Sequence, residues 1–311
     1  MPTAAFFVML LGVWPEMEAA AELHHSPVFD YEVLHADLGK GAVWYEYGKV
    51  PYKPYVEKLL TPSGVNILRD SPSDHKHHHG LMFAVKVNDI NFWEEQTTPG
   101  RQVHVRFDAP DAVEPKAKLP TTIVELLDWT GPTENLLLHE RRTVDLHSTT
   151  ATKATLITWR SEFTVSESKP NTVISGAHYH GLGMRFLESM DKAGHFFNAD
   201  GKSDVAGTND IQSNWCAYAA EADNLPVTVA MFNDPANPRS PARWFTMDQP
   251  FAYLSATLNL HREPLTLSAE VPLRLRYGVA LWDGRIAAEE IERLYQEWLA
   301  MIGGNQPTAK K

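Results

Sequence analysis

Four histidines stand within five positions of the stretch Asp74-His75-Lys76-His77-His78-His79-Gly80. An imidazole asks for a hydrogen-bond partner at each of its two nitrogens, so this density is hard to house as ordinary packing. If the stretch is extended, alternate side chains share a face, which groups His75, His77 and His79. Converging imidazoles could ligate a metal, or supply a general base with hydrogen-bond donors beside it. The plainer alternative is a solvated polar loop in which a single histidine is used. No carboxylate falls at the HExxH spacing of a helical zinc site. A second pair, His178 and His180, lies in Gly176-Ala177-His178-Tyr179-His180-Gly181-Leu182-Gly183. A spacing of two puts both on one face of a strand, and the glycines allow close backbone approach or a bulge. Two satisfied structural histidines would read the same way. His104, in Gly100-Arg101-Gln102-Val103-His104, is a third candidate.

Between these stretches lie Asn88, Asn91, Trp93, Glu94 and Glu95. An aromatic face beside carboxylates and amides suits a pyranose ring, whose C–H bonds stack while its hydroxyls hydrogen-bond. The same residues could equally be a hydrophobic strand that ends in a solvated acidic turn. Arg69 and Asp70 either pair with each other or meet substrate. Asn233, Asp234, Arg239 and Trp244, on or near the loop at 233–241, could supply a rim. Cys216 is the one cysteine, so no intramolecular disulfide can form. It reads as a small buried apolar side chain.

Several elements must position these groups. The chain has 311 residues, 43 % hydrophobic and 22 % charged, enough to bury a sizeable core. Its net charge of −11 argues against nucleic acid or an anionic membrane as the main partner, because both call for a basic face. Apolar, aromatic and β-branched runs predict strands over 43–47, 123–129, 136–146, 154–165, 227–232 and 273–282. Turn residues at 130–132 and 166–171 separate some of them. One helix is predicted over 286–302, where Ile291, Leu294, Tyr295 and Trp298 form a stripe at i, i+3, i+4 and i+7. These elements predict an all-β fold, a large two-sheet β-sandwich with a C-terminal amphipathic helix. A single domain is expected over 28–302, followed by a polar tail over 303–311. The apolar run Ala4–Trp14, followed by Pro15 and by Glu18-Ala19-Ala20-Ala21, has the form of a secretory signal and is too short to span a bilayer. Residues 1–22 are therefore expected to be a signal peptide, and the protein periplasmic or secreted; a buried N-terminal segment would leave it cytoplasmic.

Four stretches resemble the signature of a bacterial family labelled "methane oxygenase PmoA". They are Thr61-Pro62-Ser63-Gly64-Val65-Asn66, Arg69-Asp70, Asp74 to Leu81, and Val87-Asn88-Asp89-Ile90-Asn91-Phe92-Trp93. The chain departs from that pattern with Lys76 for proline, Asp89 for glycine and Asn91 for aspartate. Gly100-Arg101 to His104, Gly181-Leu182-Gly183 with Arg185, Asn233-Asp234-Pro235 and Tyr277-Gly278 also resemble it. A methane monooxygenase subunit of that name is a membrane protein, and this chain has no run long enough to span one. What the resemblance implies is a galactose-mutarotase-like supersandwich, of a kind that occurs among sugar-processing proteins.

The residues and the resemblance together predict a carbohydrate-active enzyme: a glycoside hydrolase, lyase or sugar epimerase. One of His75, His77, His78 and His79 would take a proton, with His180 or Glu94 as the opposite acid and Trp93 as the ring platform. Arg69, Asp74, His104, His178, Asn233 and Arg239 are expected to contact a small-molecule or glycan substrate. Two alternatives stay open. In one, His77, His79 and His180 hold a divalent metal in an oxygenase or other redox enzyme. In the other, the same face binds carbohydrate without turnover.

Overall fold

Alternating and continuous apolar runs fold, among the described residues, into three antiparallel sheets. The computed structural model describes residues 23–26, 31–36, 40–95, 98–108, 121–147, 153–166, 171–191 and 194–304. The apolar run at 4–14 and the tail beyond 304 lie outside the described residues.

The first sheet orders its eight strands as Leu23–Ser26, Tyr31–Ala36, Lys40–Glu46, Tyr55–Leu59, Leu81–Ala84, Gly181–Arg185, Tyr253–Thr257 and Arg243–Met247. The second, also of eight, runs His195–Asn198, Trp215–Ala222, Leu225–Asn233, Leu273–Asp283, Thr155–Val165, Leu136–His147, Thr121–Thr130 and Arg101–Phe107. A small sheet joins Leu265–Leu267, Thr172–Ser175, Lys86–Val87 and Ile90–Asn91. The predicted all-β class, with its C-terminal helix, is what the chain adopts.

The two large sheets bury one face each against the other. Phe83 of the first sheet meets Trp129 and Phe163 of the second, with ring centroids 6.2 and 5.5 Å apart. In the strand Thr155–Val165, Ile157, Trp159 and Phe163 join this shared core, while Leu156 joins a separate cluster beneath the helix Ala288–Gly304. Burial on both faces is why residues Thr155 to Trp159 are all buried, rather than every second one. The helix lays Ile291, Leu294, Tyr295 and Trp298 on the outer face of the second sheet, as its stripe predicts. Two short elements carried no sequence signal, the helix Asp204–Thr208 and the 3-10 turn Glu188–Met190.

The Thr61–Asn66 stretch is structural. Asp283 accepts from the Ser63 backbone N–H at 2.9 Å and from its hydroxyl at 2.6 Å, and Asn66 Oδ1 accepts from the backbone of Leu59 and Leu68. It fastens a turn of the first sheet to the end of the strand Leu273–Asp283 in the second.

Candidate functional site

Among the described residues no helix lies over the outer face of the first sheet. Its cover comes from the loops that carry the histidines, and the floor beneath them is paved with glycine. In the strand Gly181–Arg185, Leu182 and Met184 point into the shared core, so Gly181, Gly183 and Arg185 face outward. Opposite them stand Thr257, Ser255 and Tyr253. A Cβ at Gly183 would fall within contact distance of the Tyr253 hydroxyl, so glycine there lets the tyrosine lie across the floor.

The histidine stretch is not extended. The His75 N–H donates to Pro72 O at 3.0 Å and the His78 N–H to His75 O at 2.9 Å, which makes two successive turns. An antiparallel bridge between Asp70 and His79 closes the loop at its base. Gly80, at φ 40, then passes so close to Val56 O that no side chain fits. The expected grouping of His75, His77 and His79 on one face is therefore corrected: His75, His77 and His78 cluster, and His79 turns away. His178 and His180 also lie on a turn, closed by the His180 N–H on Ala177 O at 3.1 Å, rather than on a strand. That turn sends His178 outward to Phe245 and His261, and His180 inward. Asn91 shapes the third loop, its Oδ1 accepting from the backbone of Trp93 and Glu94.

Trp93 is the centre of what these loops bring together. Its ring stacks on His180 at 4.9 Å and 10° and meets His78 at 6.1 Å, Tyr253 at 6.2 Å and Tyr179 at 5.3 Å. His78 stacks in turn on His75 and touches His77, Phe251 and Tyr253. The Arg185 guanidinium lies over Phe251. Trp93 is fully buried with His180 over one face, so it is a wall of the site and not the open platform expected of it.

Burial sets the charges. It drives His78 down to about 2, helped by the neighbouring His77 and His75, and His180 down to about 3 against the pull of Glu94. Both imidazoles are neutral at physiological pH. Burial also works against a charge on His79, but hydrogen bonds from its Nδ1 to Asp70 at 2.7 Å and its Nε2 to Glu95 at 3.0 Å outweigh it and raise the group. His79 is thus a cation held between two carboxylates, with neither nitrogen free for a substrate or a metal. Lys53, fully buried, bonds Glu95 at 2.9 Å and Trp93 O at 2.8 Å, and burial pulls its pKa down against the attraction of Glu95. Glu94 accepts from the Tyr179 hydroxyl at 3.0 Å and from Asn91; against the cost of burial these bonds hold its carboxyl below the ordinary range. It is ionised, and the expected role of Glu94 as an acid is corrected to that of an acceptor.

Other expected members lie elsewhere. His104 bonds Glu125 at 2.7 Å and packs on Tyr47 and Phe107 at the edge of the second sheet. Arg69 pairs with Glu188 and not with Asp70, which takes Lys49 and His79. Asn233 is locked to Ser240 and Asn237, and Arg239 staples the backbone of Leu258 and Glu263. Trp244 is a core residue that bonds Ser213 O, and Asp234 pairs with Arg276. Asp74 remains at the mouth, bonding His75 at 3.0 Å. The set His77, His79 and His180 does not converge, and among the described residues no three His, Cys, Asp or Glu side chains are arranged to hold a metal ion. Cys216 is buried, as its type suggests. The site also contains groups that the sequence did not single out: Arg185, Phe251, Tyr253, Tyr179 and Lys53. Tyr179, between the two histidines of its stretch, and Arg185, at the end of the Gly181-Leu182-Gly183 run, stood within visible motifs; the others had no local signal.

A groove of about 970 Å³ lies elsewhere, on the outer face of the second sheet, where Arg141, Arg160, Arg274 and Arg276 meet Glu162 and Asp234. Its arginines are matched by nearby carboxylates, Arg160 with Asp145 and Arg274 with Glu162, so its size alone does not outrank the histidine site. No helix among the described residues is long and apolar enough to cross a membrane.

No curated protein matches the chain in sequence. Among solved structures, the chain is similar to a candidate mutarotase, YeaD, from Salmonella typhimurium, with a TM-score of 0.30 and 11 % identity over 85 % of this chain and 94 % of that one. The methane-oxygenase label that the motifs resemble is not the one under which the chain is matched. Residues 33–296 match the model of a family described as "Family of unknown function (DUF6807)", and the chain belongs to that family.

Proposed function

We propose that this site binds a sugar and acts on it by proton transfer, as an epimerase or lyase does. One observation carries the reading. Seven buried polar atoms with no partner among the described residues gather on side chains linked through Trp93, His78 and Phe251: His78 Nδ1, both nitrogens of His180, Trp93 Nε1, the Tyr253 hydroxyl, and Arg185 Nε and Nη1. Each such atom costs about 1–3 kcal/mol, and folded proteins hold few of them. A polyhydroxylated ligand suits this set, because a hydroxyl can both accept from indole or guanidinium and donate to a neutral imidazole.

The neutral imidazoles of His78 and His180 flank the buried Trp93, each able to accept a proton on one nitrogen and donate from the other. That is the equipment for moving a proton to and from a sugar carbon or ring oxygen. Glu94, ionised beside His180, would take a hydroxyl proton in a hydrogen bond. Hydrolysis by a pair of carboxyl groups is served less well, since Glu95 is committed to Lys53 and His79. One observation favours binding without turnover: groups pushed to about 2 and about 3 are weak bases.

Incubation with a panel of neutral and acidic mono- and disaccharides in D₂O, followed by proton NMR, separates these outcomes. Turnover replaces a C–H signal with deuterium or produces new anomeric signals, and His180→Gln slows it by about 10²–10⁴-fold. Saturation transfer without chemical change leaves a binding protein. Absence of both, for every member of the panel, defeats the proposal.

A further inference from the structure

The fold shows how it treats a buried guanidinium that serves structure alone. Arg142, also buried, spends its donors on Glu140 twice, on Pro54 O, and on Gln102 at 2.8 Å. Arg185 is as deeply buried, at 1 % exposure, and is treated otherwise. Its Nη2 reaches Asp74 only at 3.5 Å, and that carboxylate is 48 % exposed. Asp191 attracts it from farther off while bonding the Ala252 N–H. Nε and Nη1 have no partner among the described residues. Phe251 covers one face of the guanidinium at 3.4 Å, which leaves its edge for a ligand. A charge taken out of water and left under-paired costs more than any neutral group in the site.

We infer that the ligand carries a carboxylate and that Arg185 receives it, so that the substrate class is a sugar acid. This rests on the sugar reading above and names its specificity-determining residue. Guanidinium edges pair with planar carboxylates through parallel hydrogen bonds. The remaining charges orient such a ligand. Glu94 stands by Tyr179 and His180, whereas Arg185 lies over Phe251, which contacts His78; Glu94 therefore repels an anion at its own end and accepts from hydroxyls. A single negative charge also fits better than a phosphate dianion, because Asp74, Glu94 and Glu95 already border the site.

The test is calorimetric titration at pH 7 with the matched pairs galactose and galacturonate, and glucose and glucuronate, with galactose 6-phosphate as a third arm. The acid of at least one pair is expected to bind about tenfold tighter than its neutral partner. Arg185→Met should bring that ratio towards one. Asp74→Asn, which removes the competing carboxylate at an exposed position, should widen it by about threefold. Should Arg185→Met not fold, the wild-type ratio and Asp74→Asn still decide. Neutral sugars that bind as tightly as their acids would overturn the inference and leave the sugar reading standing. Tighter binding of the phosphate would overturn the carboxylate assignment. No binding by any saccharide would overturn both.

Discussion

Three histidines of the candidate site are shifted in opposite directions by their neighbours. His79 is raised, because Asp70 and Glu95 together outweigh its burial; His78 and His180 are lowered, because burial meets no comparable partner. The signs give opposite dependences of stability on pH. A raised histidine stabilises fully below its unfolded value of about 6.5 and loses that contribution as pH rises through its folded value. A lowered histidine does the reverse: the unfolded chain binds the proton first, so stability falls as pH drops from about 6.5 towards 3 for His180. The slope is at most about 1.4 kcal/mol per pH unit for each group. Histidine NMR should show His79 titrating above the ordinary range while the His180 signals stay put down to pH 4. In denaturant unfolding at pH 7 and pH 5, His180→Gln should lose less stability on acidification than the wild type. An unchanged loss would mean that His180 is not buried as a neutral group.

At the scale of elements, the site depends on strands that show little of it in sequence. Gly181-Leu182-Gly183 is legible as a place of close approach, but what approaches is Tyr253, seventy residues on, and only the pairing of Gly183 with Ser255 brings that strand alongside. Gly183→Ala should therefore push the Tyr253 ring off the floor. A stability cost of about 1–3 kcal/mol is expected from overpacking, with a loss of ligand affinity at least as large. A crystal structure of the variant with Tyr253 in place would refute this account. Periodicity served the large strands and the helix well, since burial of a whole face imposes it. It misled at the histidines, because backbone hydrogen bonds from His75 and His78 bend a stretch that alternation treats as straight. Lys53 and Phe251 were illegible for another reason. Each is ordinary in its local sequence, and each acquires meaning only from a partner far along the chain, Glu95 for one and Arg185 for the other.

For the whole molecule, the two large sheets solve one problem in two ways. Each presents an inner face to the other and an outer face that needs cover. The second sheet takes a helix, with Trp298 fully buried and its indole N–H on Thr158 at 2.8 Å. The first takes loops, and those loops carry the histidines and most of the unpartnered polar atoms of the proposed site. Because the shared core lies between, the two covers should act as independent units. Trp298→Ala should lower unfolding free energy by about 3–5 kcal/mol, as for a large buried side chain. Saccharide affinity, measured well below the melting temperature, should stay within about twofold. Affinity that falls in step with stability would show that the helix side supports the histidine side after all, through the core that Phe83, Trp129 and Phe163 share.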